Sequence, residues 1–417
     1  MIRRTPPKVP RPTPVRRVTH PEIAALGDPA AAQAFYQATA GRLPLVETVD
    51  DATVRVTFCW WDPDAVRVLL FVNRLTDETR LDDSLLSRVP GTALWHASYL
   101  VEPDWRASYC FLAERPGGES PLPSPPEPSG IRAEPSGIRA EPSGIRADQI
   151  RIRELLDRGE ADPHNPDHSV NRAGIEQSVA SGPHAPAQPW HRSRDGVRPG
   201  TFEAGEVDGR RVWWYAPATP AEHPTPLVVA LDGEVWTSSH SLPTILDNLI
   251  ADGLLPPTHA VLVDSGGRDQ RWQELAGDDV AEYDAWLAGP LLDAARARLP
   301  VSESADETVI VGQSLGGLTA LRVGLGFGDR FGLVASQSAS LWQDDLSEVP
   351  HRGRARIHLA HGAQEWVLAP DHELLAVRLR AAGHEVLAPR YNGGHDYAWW
   401  RGAVGDAIVA LLSPRDG

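Results

Sequence analysis

Beyond about residue 196 the chain alternates short, almost wholly apolar β-rich runs with helical segments, and few architectures accept that pattern. The runs are "RVWWYAP", "PLVVALDG", "HAVLVDS", "ETVIVGQS", "ARIHLAHG" and "HEVLAPRY". Helical patterns such as "SLPTILDNLIADG" and "AWLAGPLLDAARARL" lie between them. A strand that is apolar on both faces has no wet side, so the alternation predicts a mainly parallel sheet covered by helices above and below.

Residues 52–115 behave differently. Segments such as "ATVRVTFCWW", "AVRVLLFVN", "ALWHASYLV" and "ASYCFLAE" have a period near two and are separated by turn residues, which predicts a small, immunoglobulin-like β-sandwich. A chain of 417 residues exceeds what one hydrophobic core usually organises, so two domains are expected. The expected boundaries are a tail and lead-in over 1–45, the sandwich over 46–120, a loop and linker over 121–195, and the α/β domain over 196–417. The linker contains "EPSGIRA" three times in tandem, residues 127–147. Its seven-residue length suggests a coiled coil, but every copy carries Pro and Gly, which exclude a continuous helix. A short helix, "QIRIRELLDRG", follows it.

The formal net charge of −16 argues against general nucleic-acid binding, because phosphates would be repelled. No stretch approaches the about 18 apolar residues of a membrane span. The basic N-terminus is broken by prolines and lacks the apolar run of a secretory signal. The only cysteines, Cys59 and Cys110, fall in strand-like apolar segments, so buried thiols rather than a disulfide framework are expected. These features together predict a soluble, cytoplasmic protein with no nucleic-acid or membrane partner; the oligomeric state is left open.

The segment "ETVIVGQSLGGLTALRVGL" carries the chemistry. A lone G-x-S-x-G is a weak signal, but here a short apolar strand enters it and a helix with small residues leaves it. That strand, tight turn and helix form a nucleophile elbow, which holds Ser314 clear of the backbone and aims the following amides at a developing oxyanion. A serine needs a base, which in an α/β-hydrolase follows the last strand. His395, in "YNGGHDYAWWRG", meets that requirement better than His361 or His384, which sit at strand ends. The acid should lie between them in sequence, after "ARIHLAHG". Glu365 and Asp371 both qualify; Glu365 is preferred because Asp371 stands where a helix cap is expected. The oxyanion donors are then the amide of Leu315 and that of Glu234, in the loop of "PLVVALDGEVW".

Several of these segments resemble, in order and spacing, the enterochelin (ferric enterobactin) esterase family. They are "ALDGEVW", "RWQEL", "VGQSLGGLTALRVGL", "RFGLVASQSASLW" and "NGGHDYAWWRG", and upstream "VTFCWWDP", "RVLLFVN", "LWHASYLVEPDWRASYCF" and "ADPHNPDH". The resemblance implies an esterase of the cytoplasm that opens the trilactone of an iron-loaded catecholate siderophore, with the N-terminal domain helping to form the cleft. It implies Ser314 as nucleophile, His395 as base and Glu365 as acid. It also puts Arg271 near the cleft, either facing the anionic substrate or paired with Glu274, and makes indoles such as Trp236, Trp399 and Trp400 candidates for stacking on catechol rings. No metal or organic cofactor is expected, since iron arrives with the substrate. A general esterase of the same fold and a non-hydrolytic siderophore carrier are the alternatives.

Overall fold

The computed structural model describes residues 7, 9–117, 155–221, 223–238 and 240–414. The EPSGIRA repeats and most of the helix expected after them lie outside the described residues. The chain divides into two compact units, one of residues 8–104 and 108–184, the other of residues 1–7, 105–107 and 185–417.

The first unit is built of two β-sheets. One has the order β1 (Arg16–Val18), β6 (Leu94–Val101), β3 (Thr53–Trp61), β2 (Leu45–Asp50), with β5 (Ser87–Arg88) beside β6. The other has the order β4 (Arg67–Val72), β7 (Arg106–Glu114), β9 (Glu176–Ser181), β8 (His168–Val170). The period of two read from the sequence puts alternate rings of β3 and β7 on facing surfaces. Phe58 meets Tyr109 edge to face with centroids 4.7 Å apart, and Trp60 meets Phe111 at 4.8 Å. Cys59 and Cys110 are buried free thiols.

The second unit holds a nine-stranded sheet. Its strands are β10 (Thr201–Val207), β11 (Arg210–Ala216), β12 (Leu227–Ala230), β13 (His259–Val263), β14 (Thr308–Gln313), β15 (Leu333–Gln337), β16 (Arg356–Gly362), β17 (Glu385–Leu387) and β18 (Arg390–Tyr391). The order is β10-β11-β13-β12-β14-β15-β16-β17, with β18 beside β16. The β10 and β11 pairings are antiparallel and all the others parallel. Alternate residues of one strand feed two different cores. Val229 and Ile310 join the cluster that holds Leu318, Leu321 and Leu291. Val228, Val309 and Val311 join the cluster that holds Ile245, Leu246, Val404 and Ile408. The wholly apolar strands are thus explained by helices on both faces. The strands β12 and β14 are direct neighbours, with Ala230 level with Val311.

The segment "AWLAGPLLDAARARL" is not one helix. It spans the end of the helix Val280–Trp286, a π-helical turn Leu287–Leu291 containing Pro290, and the helix Leu292–Arg298. Proline lacks an amide proton, and a widened turn accommodates the missing hydrogen bond.

Burial makes the fold sensitive to acid. His96, His358 and His361 are each pushed down to about 4, chiefly by removal from water; Arg17 and His20 add to this at His96, and His372 at His361. An unfolded histidine takes a proton near 6.5, so between about pH 6.5 and 4 these three imidazoles bind more protons in the unfolded chain than in the folded one. Stability is therefore expected to fall as pH drops through that window. Thermal midpoints measured across it should decline; a flat profile would contradict the buried neutral imidazoles.

Candidate active site

The elbow forms because β14 ends against its own following helix. Ser314 takes φ 57° and ψ −120°, a left-handed backbone that a non-glycine residue adopts only when the surroundings impose it. Its amide donates to the Gln337 carbonyl at 2.9 Å, and its carbonyl accepts from Leu318 and Ser340, both at 3.1 Å. A Cβ at Gly312 would lie 2.1 Å from the Gly316 carbonyl oxygen, so only glycine lets strand and helix meet there. Ser314 Oγ lies 3.2 Å from Ser340 Oγ. The Leu315 amide stands in the first turn of the helix Leu315–Gly326, where backbone donors have no intrahelical acceptor.

His395 and Glu365 are brought together. Nδ1 of His395 lies 2.6 Å from Oε1 of Glu365. The Glu365 carboxylate is buried, and its Oε2 accepts from Ser338 Oγ and from the Gly362 amide, each at 2.7 Å. Its position after β16 follows from a tight turn in which the Glu365 amide donates to the Gly362 carbonyl. Asp371 is not at the site. It is exposed in the first turn of the helix Ala369–Ala381, whose N-cap is Leu368 rather than the aspartate.

The loop after β12 is set by a buried ion pair. Asp232 has φ 55°, and both its oxygens accept from Arg271, at 2.5 and 2.7 Å. This corrects the expected pairing with Glu274, which instead meets Arg210 and Gln270. Gly233 then opens a one-turn helix, Gly233–Trp236; a Cβ on it would lie 2.8 Å from the β13 backbone at Leu262 and Val263. The Glu234 amide lies in that turn, and its carboxylate is held by the Ser265 amide and hydroxyl. Trp236 is fully buried and donates to Gln313 Oε1 at 3.0 Å. It has no surface to offer a catechol ring, and the structure assigns it to the core; Trp399 and Trp400 are buried as well.

The Arg271 geometry separates two roles by experiment. Arg271→Ala removes the bidentate cation from a buried carboxylate, so stability should drop by about 3–5 kcal/mol, read as a lowered melting temperature. A pure substrate contact would raise KM and leave melting unchanged.

Sequence reading missed Ser338, Ser340, Asp232 and Gln313. The signal available for the first two was the dense run of small polar residues "SQSAS" closing an apolar strand.

Comparison with known proteins gives a consistent picture. Residues 55–191 match the family described as "Enterochelin esterase, N-terminal" and residues 208–411 the one described as "Putative esterase". An iron(III) enterobactin esterase of Dickeya dadantii is 32% identical over 94% of this chain and 95% of its own length. An iron(III) salmochelin esterase of Escherichia coli is 31% identical, over 90% and 92%. The crystal structure of the Shigella flexneri enterobactin esterase in the presence of enterobactin superposes with a TM-score of 0.72 at 28% identity, covering 91% of this chain and 97% of that one.

Proposed function

This chain belongs to the enterochelin esterase family, and on that premise we propose that it is a serine esterase that hydrolyses the trilactone of a ferric catecholate siderophore of the enterobactin type. The observation that carries this reading is the buried Glu365 carboxylate bonded to His395, in the same domain as a serine held at positive φ on a strand-to-helix turn. The N-terminal unit, with its two sheets, is read as an immunoglobulin-like sandwich.

The chemistry follows from proton bookkeeping. An ionised carboxylate only accepts, so the proton between Glu365 and His395 resides on Nδ1 and leaves Nε2 as the base. That nitrogen takes the Ser314 proton as Oγ attacks a seryl ester carbonyl. The oxyanion forms beside the amides of Leu315 and Glu234. His395 then protonates the departing seryl hydroxyl, leaving an acyl-enzyme that water hydrolyses by the same steps in reverse. Opening the ring removes the preorganisation that makes a cyclic trilactone a strong chelator. Our reading locates this in the cytoplasm, with iron entering as part of the substrate; among the described residues no helix is long and apolar enough to cross a membrane.

Incubation of the purified chain with ferric enterobactin, ferric salmochelin and a simple aryl ester, followed by mass spectrometry, tests the proposal. Ring-opened products are expected from at least one siderophore. Turnover of the aryl ester alone would favour a general esterase, and tight binding without products a carrier.

A further inference from the structure

The acid of the pair is itself held by a chain of donors that begins on the helix following the base. Trp400 lies on the helix Tyr397–Leu412, which starts two residues after His395 and is capped by Asp396, whose side chain accepts from the Trp399 amide. Its indole Nε1 is 3.1 Å from Ser338 Oγ, and Ser338 Oγ is 2.7 Å from Glu365 Oε2. An indole N–H can only donate, so the hydroxyl accepts from Trp400 and its own proton is turned toward the carboxylate. Ser338 is presented for this by a positive φ of 49° just beyond β15, with its amide donating to the Ala360 carbonyl at 2.8 Å. The same indole stands edge-on to the His395 ring, centroids 4.8 Å apart at 82°. One side chain thus touches the base directly and the acid through one hydroxyl.

We propose that Trp400 and Ser338 are positioning residues acting in series, fixing the Glu365 carboxylate so that Oε1 is presented to His395. The proposal rests on the Ser314–His395–Glu365 reading above. With Oε2 satisfied by the Ser338 hydroxyl and the Gly362 amide, rotation of the carboxylate away from His395 would break two charge-assisted hydrogen bonds at once. Trp400 also limits tilting of the imidazole, so that both members of the pair keep one relative orientation through the proton transfers.

The test is a double-mutant cycle on ferric enterobactin hydrolysis. Trp400→Phe keeps the ring and removes the donor; Ser338→Gly suits the positive φ and removes the relay. Ser338→Gly is expected to lower kcat roughly tenfold, the loss of one charge-assisted hydrogen bond, with KM little changed. Trp400→Phe should lower kcat by less, and the double variant should be no slower than Ser338→Gly alone. Losses that multiply in the double variant, or an unchanged kcat in Ser338→Gly, would overturn the series arrangement. If Trp400→Phe misfolds by its melting profile, Ser338→Gly still decides the matter through the kcat-against-KM split. Failure of the underlying reading is distinguishable: turnover would then survive Ser314→Ala and Glu365→Gln.

Discussion

Ser314→Ala should lower ester turnover by about four to six orders of magnitude while leaving the fold and substrate affinity intact. The substitution removes one oxygen and keeps Cβ, so the strained backbone at φ 57° is neither relieved nor worsened. The amide and carbonyl bonds to Gln337, Leu318 and Ser340 do not involve the side chain. The lost hydroxyl contact is with the buried Ser340, whose amide stays bonded to the Ser314 carbonyl. Melting temperature and the binding of ferric enterobactin should therefore match those of the intact chain, and products should disappear from the mass spectrum. A variant retaining a tenth of the normal kcat would remove Ser314 from the mechanism.

The second large effect is expected at Glu365. The carboxylate accepts from His395 on Oε1 and from Ser338 and Gly362 on Oε2. Glu365→Gln has the same shape but only one acceptor oxygen. If that oxygen serves the two donors on the Oε2 side, the amide NH2 faces Nδ1 of His395 and imposes the tautomer with the proton on Nε2, where the base must be free. If the amide is flipped, two donors confront it in a buried site. Either arrangement should cost roughly three to four orders of magnitude in kcat, and the flipped one stability as well. Steady-state kinetics with parallel thermal melts would show it. An active Glu365→Gln would make the acid someone else's role.

How much of this could be read beforehand depends on how local each cause is. The apolar runs that became β12, β13, β14 and β16 were legible because burial on both faces leaves no polar position to disguise them. The run over β15 does not stand out as a strand, since its three apolar residues Leu333, Val334 and Ala335 pass directly into "SQSAS". The chain order of serine, acid and base is also local information, and so is the glycine at 312. What pairs across the fold is not. Arg271 and Glu274 lie three apart on a helix, a spacing that suggests a partner, yet the bidentate mate is Asp232, 39 residues away. Ser338 looks like any strand-end serine until the positive φ turns it toward Glu365. An indole in a loop motif, such as Trp236, reads equally as surface or core, and only the packing of the helix Gly233–Trp236 decides.

The neighbouring strands β12 and β14 carry one further consequence. They run parallel, level at Ala230 and Val311, and from their adjacent ends emerge the segments of Glu234 and Ser314, the proposed oxyanion donor and nucleophile. Adding or deleting one residue in either strand would slide one segment by about 3.3 Å past the other and exchange the residues facing the two cores. The length of these strands is therefore a coded ruler, and natural variants of this domain should gain and lose residues almost anywhere except between the start of β12 and Glu234, or between the start of β14 and Leu315.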